Sequence, residues 1–269
     1  MPQFPMKSLK FFSLVFALSI PFWILGAMNQ ELTESLPIKL PISALMAICP
    51  ALAALLLVAK ENKLRGVQEL LKRIFDGKKI RDKRWYLFII FLMPTITLLA
   101  YGLVRMVGPP LPEAHISLLT VLLFYFVFFV GAIGEEIGWT GYVLAPLQHR
   151  WGALGASIIL GVVWAIWHII PYAQALQPPR WIVWQCISTV LLRIIMVWLY
   201  NRGGQSLLAM VLFHAMMNVS TFLFPTYGSH YNPLVGAGFL MATVVVIAFF
   251  WQRPIIQLGP LSPSCKMGR

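Results

Sequence analysis

The sequence predicts an all-α fold, a polytopic membrane helix bundle of about eight transmembrane helices. Of its 269 residues, 59% are apolar and only 11% are charged, whereas soluble domains carry roughly 25% charged residues. The apolar residues form eight runs, each close to the ~20 residues with which a helix crosses a bilayer. Basic residues are concentrated in alternate connecting segments, which is typical of multi-pass membrane proteins.

The eight predicted spans follow one another along the whole chain. Lys7 and Lys10 precede the first span, but its 18 residues and the seven spans that follow indicate an uncleaved helix and not a signal peptide. The spans cover, in order, roughly residues 11–28, 41–59, 85–107, 116–144, 153–170, 181–199, 206–224 and 234–252.

The net charge of +12 reflects membrane topology and does not indicate nucleic-acid binding. With the N-terminus inside, the inner segments carry 17 Lys and Arg residues and the outer loops carry two, Lys39 and Arg180. The positive-inside rule therefore predicts a multi-pass protein of the cell membrane with both termini cytoplasmic. The two remaining cations, Arg105 and Arg193, lie within predicted spans.

A basic segment between the second and third spans, residues 60–84, predicts a helix on the inner membrane surface. Its apolar residues recur at helical spacing and its other face is basic, which is typical of interfacial helices near anionic lipid. We expect this amphipathic helix near residues 61–75, with anionic lipid as its partner; the alternative is a solvated linker. The apolar face consists of Leu64, Val67, Leu70, Leu71, Ile74 and Phe75.

Two adjacent glutamates, Glu135 and Glu136, interrupt the fourth span within the stretch FFVGAIGEEIGWTGYVLAPL. A carboxylate at membrane depth costs about 2.5–3.5 kcal/mol on insertion scales, and the other seven acids of the chain all fall in predicted loops. A stripe of small residues on this helix allows a neighbouring helix to approach closely, so the acids are expected to face a packed bundle. The stripe consists of Gly131, Gly134, Gly138 and Gly141.

Polar side chains in the later spans suggest that one site is shared between helices. His168 lies in the fifth span, and His214 and Asn218 share one helix face in the seventh because they are four residues apart. Trp139 shares a face with Glu135 for the same reason. A desolvated glutamate beside a histidine is suited to activating water, and a His–Asn pair is suited to stabilising an oxyanion. Two histidines and one glutamate also match a catalytic zinc site with an open position, and both routes lead to amide hydrolysis.

Three short motifs, EEIGWTG, WAIWH and HAMMN, occur in this order on the predicted helices. In an eight-span protein this order resembles the CPBP family, the CAAX protease and bacteriocin-processing intramembrane endopeptidases, over roughly residues 116–224. The resemblance implies a glutamate- or metal-dependent protease that hydrolyses a peptide bond of a membrane-associated protein or peptide. It implies a catalytic helix core at 116–224, between N-terminal spans with the basic loop at 1–115 and a last span with a cytoplasmic tail at 225–269.

The resemblance also implies a role for each matching residue. Glu135 corresponds to the glutamate that activates water with help from His168, and Glu136 corresponds to a supporting glutamate. His214 and Asn218 correspond to the pair that holds the oxyanion. If the enzyme is metal-dependent, Glu135, His168 and His214 would bind one divalent metal such as zinc.

One position departs from the family pattern. The family's first motif places an arginine four residues after the second glutamate, and Thr140 holds that position here. We hypothesise that Arg193, in the sixth span at a similar depth, pairs with Glu136 instead. The alternative is that Arg193 extends toward the inner lipid headgroups. Arg193 and Trp139 are therefore supporting candidates.

Two other function classes stay open at this point. One is an ion- or proton-coupled transporter that uses the glutamate pair, although no inverted repeat or pair of broken helices is evident in the sequence. The other is a non-catalytic membrane scaffold or immunity protein whose site has degraded after loss of the motif arginine. A haem held by His168 and His214 is a more remote interpretation.

Overall fold

The computed structural model describes residues 3–29, 40–108, 110, 111, 113, 117–223 and 231–251. This part of the chain contains eight α-helices and no strand, which confirms the all-α fold. The helices are α1 (Gln3–Met28), α2 (Cys49–Lys72), α3 (Trp85–Val107), α4 (Leu118–Glu136), α5 (Leu144–Gln174), α6 (Pro179–Arg202), α7 (Leu207–Leu223) and α8 (Pro233–Trp251). Shorter elements are 3₁₀-helices at Ile42–Ile48, Arg73–Phe75 and Gly77–Lys79 and a π-helix at Ile137–Val143.

Within the described residues, each of the eight predicted spans coincides with a helix or helical run. This part of the chain has six helical runs that are long and apolar enough to cross a membrane, and α7, with 17 residues, is a shorter apolar helix. The fourth run, Leu118–Gln174, is 57 residues long and holds both the fourth and the fifth predicted span. It bends at Gly152, whose φ of 67° lies in the left-handed region that glycine adopts without a steric penalty. The chain is therefore a multi-pass membrane protein.

Several sequence predictions concern residues outside the described part of the chain and stay predictions. They include the last residues of the seventh and eighth spans, the first residue of the fourth span and the cytoplasmic tail. The loop residues among them are Glu31, Glu34 and Lys39.

The three motifs lie on neighbouring elements, namely the end of α4 with the π-helix, α5, and α7. α5 packs along α6, α4 along α7, and α6 along α8, while α3 contacts α7 and α8. α1 packs against the 3₁₀-helix Ile42–Ile48, α2 and α5. One buried hydrogen bond reinforces this contact, because the indole N–H of Trp167 on α5 donates to Ser19 Oγ on α1 at 2.8 Å.

The basic segment is helical, and it contacts the bundle with only part of its apolar face. A break at Lys63 (φ 55°, ψ −157°) separates it from the first part of α2. Leu70 and Ile74 are buried in the protein core, whereas Leu64 and Phe75 are 69% and 83% exposed. The predicted face is thus divided between a protein contact and an outward apolar side of the kind found on membrane-surface helices.

Asp76 connects the basic segment to the helix that carries His214. Its carboxylate accepts hydrogen bonds from Ser206 Oγ at 2.7 Å and from the backbone N–H groups of Leu207 at 3.1 Å and Leu208 at 3.2 Å. The first N–H groups of a helix have no partner within the helix, and a negative charge there also interacts favourably with the helix dipole. Asp76 is therefore an N-terminal cap of α7 that is contributed from another part of the chain.

We expect Asp76→Ala to destabilise the protein by about 1–2 kcal/mol, because it removes a helix cap and a favourable dipole interaction. Thermal unfolding in detergent measures this change. Asp82→Ala is the matched control, because Asp82 bonds only within its own turn, where hydrogen bonds from Arg84 lower the pKa of the Asp82 carboxyl. Equal unfolding temperatures for the two variants would contradict the cap.

Candidate active site

Glu135 and Glu136 are the last residues of α4, and the π-helix Ile137–Val143 follows them directly. Short π-helical segments widen one turn of a helix and are frequent at functional sites. Both glutamates are buried inside the protein, at 6% and 0% exposure. The expectation that they face a packed bundle is therefore confirmed.

Close backbone packing explains two of the four glycines in the stripe, Gly134 and Gly138. A Cβ on Gly134 would lie 2.6 Å from the carbonyl oxygen of Ala47, and a Cβ on Gly138 would overlap the backbone of Pro50. These glycines let the glutamate-bearing helix lie directly against the 3₁₀-helix Ile42–Ile48 and the start of α2. The prediction is wrong for Gly131, where an added Cβ would have no neighbour within 4 Å.

Glu136 uses both of its carboxylate oxygens. Arg193 donates two hydrogen bonds, from Nη1 to Oε2 at 3.1 Å and from Nη2 to Oε1 at 3.2 Å. His214 Nδ1 lies 3.0 Å from Oε1, and the Thr140 hydroxyl donates to Oε2. Since a carboxylate only accepts, the network assigns the proton of this contact to His214 Nδ1. Four donors fill the roughly four acceptor positions of a carboxylate, so Glu136 has none left for a substrate or water.

Glu135 differs from its neighbour because only one of its oxygens is occupied. Oε2 accepts hydrogen bonds from the indole N–H groups of Trp164 at 2.7 Å and Trp139 at 3.3 Å. Oε1 accepts no hydrogen bond from the described residues and lies 3.9 Å from His214 Nε2. The Glu135 side chain keeps 8% exposure, whereas Glu136 has none. Glu135 is therefore the carboxylate that a water molecule can reach.

His168 lies beside this group without touching either glutamate. Its Nδ1 is 2.9 Å from the backbone carbonyl oxygen of Trp164, and its ring packs edge-on against the Trp164 ring at 5.4 Å. No hydrogen bond or ion pair within the described chain joins His168 to Glu135 or Glu136. The expected convergence is thus partial, because the glutamates meet His214 directly while the Trp164 side chain contacts both Glu135 and His168.

Asn218 lies one helical turn beyond His214 on α7 and is half-buried. Its side-chain amide forms no hydrogen bond with the described residues, and only its backbone oxygen is engaged, by Thr221 Oγ1 at 3.3 Å. The amide is therefore available to donate to a bound ligand.

Trp164 and Thr140 belong to the site, although the sequence did not mark them as candidates. Trp164 donates to Glu135, its ring face lies 4.1 Å from the Arg193 guanidinium carbon, and its ring lies 5.2 Å from that of His214. Thr140, which stands where the family has arginine, bonds to Glu136 directly. The available signal was spacing, since Thr140 follows Glu136 by the same four residues that separate Trp139 from Glu135.

The predicted metal ligands do not converge in this arrangement. Among the described residues, no group of three or more His, Cys, Asp or Glu side chains is placed to hold a metal ion. His168 Nδ1 lies against the backbone carbonyl oxygen of Trp164, and the oxygens of Glu136 are already occupied. The donor set therefore does not fit zinc as it stands.

Comparisons with known proteins agree with the family that the three motifs indicate. Residues 117–220 match the family model of the Rce1-like type II CAAX prenyl endopeptidases. The chain is also 23% identical, over 253 residues, to a protein of Methanococcus maripaludis named CAAX prenyl protease 2. That alignment covers 88% of this chain and 92% of the relative.

A helical membrane bundle with these motifs and relatives defines the class of the protein as an intramembrane endopeptidase of the CAAX-protease type. The family model and the relative support the resemblance to the CPBP family that the order of the three motifs predicted. No finding favours the transporter or scaffold alternatives.

We expect Arg193→Met to lower the stability by about 3–5 kcal/mol, because it leaves Glu136 as a buried charge without its cation. The double variant Arg193→Met/Glu136→Gln should recover part of this loss, because the remaining side chain is neutral. Thermal unfolding in detergent compares the variants. Arg65→Met serves as the control, because the exposed pair of Arg65 with Glu69 is worth at most about 1 kcal/mol. If Arg193→Met unfolds at the same temperature as the wild type, the Arg193–Glu136 pair does not stabilise the fold.

Proposed function

We propose that this endopeptidase uses Glu135 as the general base that activates the attacking water. The observation that carries the proposal is the difference between the two glutamates. Glu136 has all its acceptor positions occupied, whereas Glu135 has one unbonded oxygen and retains exposure. Glu136 then acts as a positioning residue that orients His214, and Arg193, Thr140 and Trp139 support the two carboxylates.

The reaction balances with Glu135 as the only group that carries the transferred proton. Glu135 Oε1 takes a proton from water as the water oxygen bonds to the carbonyl carbon of the scissile peptide. The tetrahedral intermediate then collapses, the C–N bond breaks, and the protonated Glu135 returns its proton to the leaving nitrogen. The products are a new carboxylic acid and a new amine, which ionise to a carboxylate and an ammonium group, and Glu135 ends as the carboxylate with which it began.

The intermediate's oxyanion needs donors on the side opposite to Glu135. We assign this role to Asn218, whose amide is free, and to His214 when a proton occupies Nε2 as well as Nδ1. Each well-placed donor of this kind is worth roughly 3 kcal/mol in the transition state. His168 is the remaining candidate for orienting the water, because its Nδ1 is held by a backbone carbonyl and its Nε2 forms no hydrogen bond with the described residues.

The substrate is a membrane-associated protein or peptide. The Methanococcus relative is named CAAX prenyl protease 2, and we propose for this chain a cleavage close to the C-terminus of its substrate. A lipid-modified C-terminal peptide is one candidate of this class, and a processed membrane peptide is another.

Glu135→Gln should abolish cleavage, because general-base catalysis contributes about 10²–10⁴-fold to the rate and glutamine cannot accept the proton. The amide oxygen of glutamine keeps an acceptor for the two indoles, so the fold should be retained. The measurement compares new protein termini in cells that carry the wild type or the variant at matched expression. Glu69→Gln is the control, because Glu69 is exposed. Identical sets of termini for wild type and Glu135→Gln would refute the role of Glu135.

If Glu135 activates the water without a metal ion, removal of metal should leave the activity intact. Purified protein is stripped with a chelator, dialysed against metal-free buffer and assayed on a peptide found by the terminus comparison. We expect unchanged turnover and no stoichiometric zinc in elemental analysis. If activity is lost and returns with one equivalent of zinc, Glu135, His168 and His214 bind a metal after a rearrangement, and the glutamate-only route fails.

We further propose that both termini are cytoplasmic and that the basic segment 60–84 contacts anionic lipid. The charge distribution supports this orientation, and the exposed Leu64 and Phe75 beside basic residues support the membrane contact. Inside-out vesicles should therefore expose N- and C-terminal tags to added protease, whereas right-side-out vesicles should protect them. If the tags are protected from protease in the inside-out vesicles, the proposed orientation is wrong.

A further inference from the structure

One cation of the basic segment is bonded to the protein core. Arg73 opens the 3₁₀-helix that follows α2 and is half-buried, whereas its neighbour Lys72 is exposed. The Arg73 guanidinium donates from Nη1 to the carbonyl oxygen of Gly141 at 2.6 Å and from Nη2 to the Tyr200 hydroxyl at 2.9 Å. Arg73 therefore differs from a cation that extends toward lipid headgroups.

Gly141, the first partner of Arg73, lies in the π-helix that begins directly after the two glutamates. A π-helix pairs residues that are five apart, so Gly141 is the residue paired with Glu136, and residue 146 would pair with the Gly141 carbonyl. That residue is Pro146, which has no N–H, so the π pattern cannot continue from Gly141. The chain returns to an α-helix at Leu144. Arg73 thus supplies a donor to the carbonyl at which the π pattern stops.

Tyr200, the second partner, belongs to α6, the helix that supplies the cation of Glu136. Tyr200 is buried at 7% exposure and follows Arg193 by seven residues, which places both on one face of the helix about two turns apart. Arg193 donates two hydrogen bonds to Glu136. One guanidinium, that of Arg73, therefore joins α6 to the π-helix.

The same turn of the chain also contacts α7. Asp76, three residues after Arg73, caps the start of α7. On the other side of Arg73, the buried Leu70 packs on Gly141, where an added Cβ would lie 3.0 Å from Leu70 Cδ1. The three elements fixed in this way carry the partners of Glu136, namely Thr140 in the π-helix, Arg193 on α6 and His214 on α7.

We propose that Arg73 is a positioning residue of the cleavage reaction. By bonding the end of the π-helix to α6, it sets the direction in which Glu135 and Glu136 enter the site. Within the described chain, no hydrogen bond or ion pair joins Arg73 to either glutamate, so it acts on their placement and not on the reacting atoms. The inference rests on the proposed function, because it concerns the orientation of Glu135 as the base.

The test measures kcat and KM of the full chain on a synthetic peptide that carries a cleavage site found by the terminus comparison. The protein is reconstituted in phosphatidylcholine vesicles, which carry no net charge, and is assayed below the unfolding temperature of every variant. Arg73→Met should lower kcat about tenfold and leave KM unchanged, since a displacement of about 1 Å at a reacting group can cost up to about 10²-fold in rate. Arg73→Lys should recover part of kcat, because lysine keeps the charge but lacks the planar fork that reaches two acceptors.

A second variant tests the contact from the other helix. Tyr200→Phe keeps the ring and removes the hydroxyl that accepts from Arg73, so kcat should fall about threefold at constant KM. This variant carries the test if Arg73→Met does not fold. Arg150→Met is the matched control, because it removes the same charge from an exposed arginine over the Trp151 ring, and it should keep the wild-type kcat.

The inference is overturned if the folded Arg73→Met and Tyr200→Phe variants keep the wild-type kcat, even at a lower unfolding temperature, because Arg73 would then only stabilise the fold. It is also overturned if the loss lies in KM alone, or if Lys72→Met lowers kcat as much as Arg73→Met, because the charge of the segment would then explain the effect. Cleavage by Glu135→Gln would instead refute the proposed function, so the two failures are distinguishable.

Discussion

The buried ion pair between Glu136 and Arg193 is the interaction on which the rest of the site depends. Both side chains have no exposure, and removing two charges from water costs several kcal/mol per ion unless their hydrogen bonds are satisfied. The pair meets this condition on the carboxylate side, with two bonds from Arg193 and one each from His214 and Thr140. On the cation side, the guanidinium also lies over the Trp164 ring. The polar groups of α4, the π-helix, α5, α6 and α7 are thereby held in one network.

Small residues make this network possible by letting backbones approach. Gly134 and Gly138 allow the glutamate-bearing helix to lie against Ala47 and Pro50. Gly161 does the same between α5 and α6, where an added Cβ would lie 3.2 Å from Cβ of Arg193. A bulkier residue at Gly161 would push α6 outward and lengthen the contact from Arg193 to Glu136. By setting the spacing between helices, the glycines therefore determine the distance between the Arg193 guanidinium and the Glu136 carboxylate.

Much of this could be predicted from sequence, because hydropathy and spacing report on single helices. The spans and the inward-facing glutamates follow from length, composition and spacing along each helix. The pairing of Arg193 with Glu136 was one of two interpretations that its depth allowed, the other being an extension toward the inner lipid headgroups. Contacts between side chains of different helices could not be predicted in this way. Gly131 looked equivalent to Gly134, although only Gly134 meets another backbone. His168 seemed placed to meet Glu135, but spacing carries no information on the Trp164 ring that contacts both.

The exchange of the motif arginine for Thr140 changes how the site depends on the fold. An arginine at that position would sit one turn from Glu136 on its own chain segment, so the charge pair would exist whenever that segment is helical. With Arg193 as the cation, the pair forms only when α6 has packed against α5 and brought its guanidinium to the end of α4. His214 Nδ1 then bonds to Glu136 and Nε2 approaches Glu135, so the imidazole joins the two glutamates. The orientation of Glu135 as a general base therefore depends on the packing of the complete helix bundle. A partly folded chain, in which α6 has not packed against α5, lacks this orientation.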